Sequence, residues 1–133
     1  MNINYNEIYK KLLNMVGEKK ISDFVDAGSF ACALISKTNV YYGINFQAGC
    51  GLSLCAERSA IASAITNYEN EFTHIICIFK DGKLAFPCGC CRELFAQLSK
   101  NNLNCEVVTS INPLKSVKLK TLLPNWWGKT TNR

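Results

Sequence analysis

Residues 73–99 read THIICIFKDGKLAFPCGCCRELFAQLS, and they hold a strand, a turn and a helix in that order. Thr73 to Lys80 is an unbroken β-branched and aromatic run, as expected of a strand buried on both faces. Asp81-Gly82 supplies the turn, and Leu84 to Phe86 is a short further piece of strand. Pro87 then precedes a run from Cys88 to Ser99 in which Leu94, Phe95 and Leu98 make one apolar stripe. A proline ahead of the first turn suits the start of a helix. A buried strand followed by an amphipathic helix is a building block of an α/β fold.

The flanking sequence extends the pattern. Upstream, Ala56, Ala60, Ile61, Ala64 and Ile65 recur at helical intervals between Cys55 and Asn67, and their small size lets this helix lie close to a sheet. Before it, Phe30 to Ser36 and Val40 to Phe46 are β-prone and joined by Lys37-Thr38-Asn39, a connection of hairpin length that predicts antiparallel pairing. From Tyr5 to Lys19 the apolar residues Ile8, Leu12, Leu13, Met15 and Val16 predict a first helix, with Gly17 near its end. Downstream, Cys105 to Thr109 reads as a strand, and Val117 to Leu123 as either another strand or a short helix. The order α-β-β-α-β-α-β predicts a three-layer α/β/α sandwich around a mixed sheet of about five strands. A chain of 133 residues accommodates one such core, so residues 1–133 are read as a single domain.

Composition narrows the function classes. The formal charge is +5, yet residues 1–106 hold ten acidic and ten basic side chains, and the excess is Lys115, Lys118, Lys120, Lys129 and Arg133. Those positives lack the interleaved aromatics of a single-strand binding surface, so they read as a solvated tail and no nucleic-acid partner is expected. No apolar run approaches the ~20 residues of a membrane span. Met1 to Lys20 is polar and lysine-containing, unlike a secretory leader. The eight cysteines are therefore expected in a reducing cytoplasm, where clustered thiols serve metals or catalysis more often than bridges.

Two cysteine clusters open predicted helices: Cys55-Ala56-Glu57-Arg58 and Pro87-Cys88-Gly89-Cys90-Cys91-Arg92. Residues three apart share a helix face, so Cys88 and Cys91 can grip one ion while Cys90 points elsewhere. A third thiolate from Cys55 leaves one position of a tetrahedral Zn²⁺ open, which is the arrangement of a catalytic site. Three thiolates make the site anionic. Two helix N-termini, each worth roughly half a positive charge, and Arg58 and Arg92 as donors to sulfur would counter that charge and restore the acidity of bound water. Glu57, two residues after a ligand, stands where a proton shuttle belongs. A closed four-cysteine zinc-binding module using Cys90 or Cys50 is the non-catalytic alternative. Cys32, Cys77 and Cys105 fall inside strands and read as small buried hydrophobes. His74 starts a strand away from both motifs.

The strings CAERSAIASA and PCGCCREL, with Asn45 upstream and Leu122-Leu123-Pro124 downstream, resemble the zinc-dependent cytidine deaminases of the short homotetrameric type; their signature of PCxxC plus a glutamate is a known one. The resemblance runs from about Phe30 to Trp127. It implies a cytidine deaminase-like fold, one zinc per subunit on Cys55, Cys88 and Cys91, and hydrolysis of cytidine or deoxycytidine to the uridine form plus ammonia. In that chemistry zinc-bound hydroxide attacks C4 and Glu57 carries protons to N3 and to the leaving ammonia. It also implies substrate contacts from Phe30, Asn45, Gln47, the peptide groups around Ala56, and Trp127 or its rival Trp126, the tryptophan reaching a neighbouring subunit's site. Polynucleotide deaminases generally have His where this chain has Cys55, which again points to a small nucleoside.

One stretch departs from the family pattern. Most relatives have Asn-x-Glu before the first ligand, and this chain has Asn45-Phe46-Gln47, with a segment to Cys55 one residue shorter. The usual aromatic-rich entry to the first strand is replaced by Asp26-Ala27-Gly28-Ser29. A neutral Gln47 loses a charge-assisted bond to ribose and would suit an anionic sugar. A deaminase of blasticidin S type, acting on an antibiotic nucleoside whose sugar carries a carboxylate, is therefore the alternative within the class.

Overall fold

The computed structural model describes residues 1–130, the side chain of Thr130 excepted; Arg133 of the basic tail lies outside them. Chain order is α1 (Tyr5–Met15), β1 (Lys19–Lys20), β2 (Asp26–Ile35), β3 (Val40–Gln47), β4 (Ser53–Leu54), α2 (Ala56–Thr66), β5 (His74–Phe79), β6 (Leu84–Ala85), α3 (Gly89–Leu98), β7 (Glu106–Ser110), β8 (Lys115–Lys118) and α4 (Trp127–Thr130). The described strands form one sheet in the order β4-β3-β2-β5-β7-β8, with β1 added to β2 and β6 to β5. Among them only β5 and β7 pair in parallel, so the sheet is mixed, as expected.

The described sheet has eight strands where about five were expected. The extra pieces β1, β4 and β6 are two residues each, too short for any period to register. Val117 to Leu123 turns out to be both of its alternatives: Lys115–Lys118 completes a strand and Leu119–Leu122 winds into a 3-10 turn. The first helix stops at Met15, because Val16 is already extended. Strand β2 begins at Asp26, four residues before the expected start at Phe30. Its register against β3 shifts between Ala27 and Ala31, and Gly28 sits there at φ +95° with its Cβ position occupied by the Gly17 carbonyl. Only glycine fits that approach.

The central strands alternate between two cores, as the period of two requires. Cys32, Leu34, Ile75, Cys77 and Val107 face α2 and α3, while Ala31, Ala33, Ile35, Ile76, Ile78 and Val108 face α1 through Ile8 and Leu12. This is the three-layer arrangement. At Gly43 of β3 a Cβ would land on the backbone of Ala56 and Ala60, so the start of α2 rests directly on the strand. Asn102, fully buried, accepts from the Phe72 N–H at 2.8 Å and donates to the carbonyls of Asn70 and Phe95 at 2.9 Å. That amide fixes the end of α3 against the entry to β5. Both helices that carry the cysteine motifs are thus anchored to the same face of the sheet.

Candidate active site

Helices α2 and α3 begin with cysteine where Ser, Thr, Asp or Asn usually cap. Cys55 is the N-cap of α2 and Cys88 of α3, both in extended conformation and neither making a side-chain cap bond to its helix. The sulfurs converge instead. Cys55 Sγ lies 3.1 Å from Cys91 Sγ, and Cys88 Sγ lies 3.5 Å from Cys91 Sγ. A Glu57 carboxylate oxygen lies within 4.8 Å of the sulfurs of both Cys55 and Cys91. Cys91 is buried and central, Cys55 is half-buried, and Cys88 closes the exposed side. Cys50 and Cys90 are exposed and take no part in this convergence.

The donor set fits a divalent thiophilic cation. A tetrahedral zinc with Zn–S bonds near 2.3 Å wants sulfurs about 3.8 Å apart, slightly wider than the Cys55–Cys91 and Cys88–Cys91 spacings. The ligand atoms that all lie within 4.8 Å of one another are those of Cys55, Glu57 and Cys91, so Cys88 would close in on a bound ion from the exposed side. As thiols these groups crowd one another: burial first, then hydrogen bonds with Cys55 and Glu57, pushes the Cys91 thiol far up. Replacing those protons by a cation relieves the crowding, and metal binding releases them. At Cys88 burial acts to raise the pKa, but the nearby N–H groups of Cys91 and Cys90, though not in cap-bond geometry, and the Cys91 thiol outweigh it, so this thiol falls below its usual value. Orphan N–H groups of a helix start favour a thiolate.

The two arginines expected as donors to sulfur part company. Arg58 is drawn to the cluster: the charges of Cys55 and then Cys91 raise its pKa, with a side-chain hydrogen bond to Cys91 adding to them. Arg92 corrects the expectation. Its Nε donates to the Pro87 carbonyl at 2.6 Å and its Nη1 to the Leu122 carbonyl at 3.2 Å, so its fork ties the ligand turn to the 3-10 turn after β8. A planar guanidinium donates along fixed directions, and here two carbonyls stand along them.

Beside the sulfurs opens a cavity of about 360 Å³, lined among others by Phe30, Asn45, Gln47, Ala56 and Glu57. That volume suits a small molecule. Phe30 packs on Phe79 at 4.8 Å between centroids and also borders the cavity. Asn45, nearly buried, accepts from the Phe30 N–H at 2.8 Å, filling the gap that the register shift leaves in the β2–β3 ladder. Its amide NH₂ remains to donate. Gln47, exposed at the end of β3, also borders a second hollow lined by Lys19, Lys20 and Asp26. Among the lining residues that sequence reasoning missed are two aromatic walls, Phe46 and Phe86. Both directly neighbour singled-out residues, Phe46 between Asn45 and Gln47 and Phe86 before Pro87, and that adjacency was the available signal. Neither tryptophan lines this cavity: Trp126 is buried in a separate hollow with Leu103 and Leu123, and Trp127, on α4, is 47% exposed.

Residues 6–107 match the family described as cytidine and deoxycytidylate deaminase zinc-binding region. The cytidine deaminase of Mycoplasma genitalium is 27% identical over 132 residues, covering 98% of this chain and 100% of that protein. The cytidine deaminase of Mycoplasma pneumoniae is 36% identical over 66 residues, 47% of this chain and 50% of that one. Among solved structures, cytidine deaminase from Mycobacterium leprae superposes with a TM-score of 0.72 at 21% identity, covering 93% of this chain and 100% of that one. The fold is therefore shared.

Proposed function

The chain belongs to the cytidine and deoxycytidylate deaminase family, and on that premise we propose that it is a zinc-dependent hydrolase converting cytidine or deoxycytidine to the uridine form and ammonia. The observation that carries this is the meeting of two helix starts, where Cys55 and Cys91 sulfurs stand 3.1 Å apart with the Glu57 carboxylate within 4.8 Å of both. Cys55, Cys88 and Cys91 would hold the zinc, which when bound would supply an electrophile that makes water acidic at neutral pH. Glu57 takes the proton from the attacking water, passes it to N3 of the pyrimidine, and delivers a second to the amino group that leaves C4 as ammonia. Arg58 offsets the charge of the thiolates. Arg92 holds the turn that presents Cys88. Phe30, Phe46 and Phe86 wall the base from water, the peptide groups at Ala56 meet it, and Asn45 and Gln47 offer neutral hydrogen bonds to the sugar.

A three-thiolate centre calls for a reducing compartment, so the cytoplasm is its working place; no described helix is long and apolar enough to cross a membrane. The half-exposed rim formed by Phe46 and Phe86 fits a homotetramer in which Trp127 of one subunit covers the site of the next.

Ammonia release from cytidine, deoxycytidine, cytosine, deoxycytidylate and blasticidin S tests the reading. Turnover is expected with cytidine or deoxycytidine. The alternative, an antibiotic-type nucleoside with an anionic sugar, draws on the uncharged Gln47 at the cavity; inert cytidines with active blasticidin S would establish it.

A further inference from the structure

Two cysteines outside the zinc cluster lie directly behind Glu57. Cys32 of β2 and Cys77 of β5 are register partners, their sulfurs are 3.2 Å apart, and both are at most 1% exposed. Each sulfur lies within 4.8 Å of a Glu57 carboxylate oxygen. Glu57 is thus held between two sulfur groups, Cys55 and Cys91 on the helix side and Cys32 and Cys77 on the sheet side.

A carboxyl group only 6% exposed needs hydrogen-bond partners, because a buried polar group without them is costly. Burial raises Cys32, and the bond to Cys32 followed by burial raises Cys77 well above the ordinary thiol value, with Glu57 contributing in the same sense. Both therefore keep their protons at neutral pH and are S–H donors. In the pair the Cys77 thiol donates to the Cys32 sulfur, and the Glu57 carboxylate is a second acceptor within its reach, so rotation of the S–H about the Cβ–Sγ bond carries the donation from Cys32 to the carboxylate.

We propose that Cys77, backed by Cys32, is a positioning residue for the deamination: its thiol holds Glu57 from the sheet side and so aims the carboxylate at the water and the base. The inference rests on the proton-carrying role of Glu57. A thiol is a weak, polarisable donor, so it orients the carboxylate without binding its proton-accepting oxygen as firmly as a charged donor would.

Three variants test it, each assayed for zinc content, melting temperature, kcat and KM. Cys77→Ala is expected to lower kcat about 3- to 10-fold with KM and zinc unchanged, and Cys77→Ser to recover most of that loss, because the hydroxyl still donates. Cys32→Ala should lower kcat by less than Cys77→Ala. Packing alone makes the opposite prediction, since a buried hydroxyl is less stable than a methyl: if Cys77→Ala is more active than Cys77→Ser, or matches the wild-type kcat, the proposal is overturned. Should one Cys77 variant fail to fold, the other compared with Cys32→Ala decides in the same way, wild-type kcat in both counting against it. Glu57→Gln separates this from the premise. An inactive Glu57→Gln beside a fully active Cys77→Ala defeats only the positioning role, whereas an active Glu57→Gln defeats the reading of the site itself.

Discussion

Glu57 occupies the second position of α2, in the first turn and nearly out of solvent. A carboxylate near a helix N-terminus is favoured by the dipole in any protein, so its placement alone does not make it catalytic. What distinguishes it is company: sulfurs of Cys55 and Cys91 within 4.8 Å on one side and of Cys32 and Cys77 on the other. Replacing it by glutamine keeps shape and bulk but removes the capacity to take up and give back a proton. Glu57→Gln should therefore retain full zinc, measured by metal analysis, while kcat falls by about 10²–10⁴, the usual share of general acid–base catalysis. If zinc leaves together with activity, Glu57 is holding the metal and the proton traffic must be assigned elsewhere. Arg92 shows why residue-level reading needs geometry. Its sequence neighbours are ligands, yet its reach takes it past the sulfurs to two carbonyl oxygens.

Helix α2 can carry this chemistry only because it is pressed onto β3. The contact is at Gly43, where a side chain would collide with the backbone at Ala56 and Ala60, within five residues of Cys55. Backbone cannot rotate away as a side-chain tip can, so Gly43→Ala should destabilise the fold by about 1–3 kcal/mol and displace α2, lowering activity of the folded protein as well. Gly49→Ala, where a Cβ meets nothing within 4 Å, is the control and should change stability by less than about 0.5 kcal/mol; equal urea midpoints for the two variants would refute the argument. The same scale explains what the sequence could convey. Helices with a clear apolar stripe, such as Gly89–Leu98, and strands with long β-branched runs, such as His74–Phe79, declare themselves through periodicity. The approach of the Cys55 and Cys88 sulfurs to Cys91 was legible because a CxxC at a helix start, plus a third cysteine at another, has few other physical readings. Strands of two residues at Lys19–Lys20, Ser53–Leu54 and Leu84–Ala85 have no period to read; they exist because longer neighbours offer them edges. The start of β2 at Asp26 was hidden by Gly28, whose turn-like character locally masks a bulge. The cavity walls at Phe46 and Phe86 were invisible for a related reason: a lone aromatic acquires a role only from what tertiary contact places opposite it.

At the scale of the molecule, the cavity beside Glu57 has an open apolar mouth. Its mouth exposes Phe86 at 54% and Phe46 at 38%, Leu52 in the adjoining turn is 68% exposed, and Trp127 stands 47% exposed on the terminal helix without lining that cavity. Apolar groups left open around a site that must exclude water call for a cover, and in the assembly we propose a second copy carrying Trp127 would supply an aromatic plane of the right chemistry. If each site draws Glu57 from one subunit and Trp127 from another, damage to the two residues can be placed on different chains and repaired by mixing. Glu57→Gln and Trp127→Ala homo-oligomers should each be impaired, the first in kcat and the second chiefly in KM. Unfolded together in equal amounts and refolded with zinc, they should regain activity beyond the mean of the two, because about a quarter of the sites recover both residues by random assortment of subunits. Refolding each alone controls for recovery. Activity equal to the mean means that Trp127 serves its own chain or no site, and with that result the shared-site assembly falls while the zinc centre and Glu57 stand unaffected, since both lie wholly within one subunit.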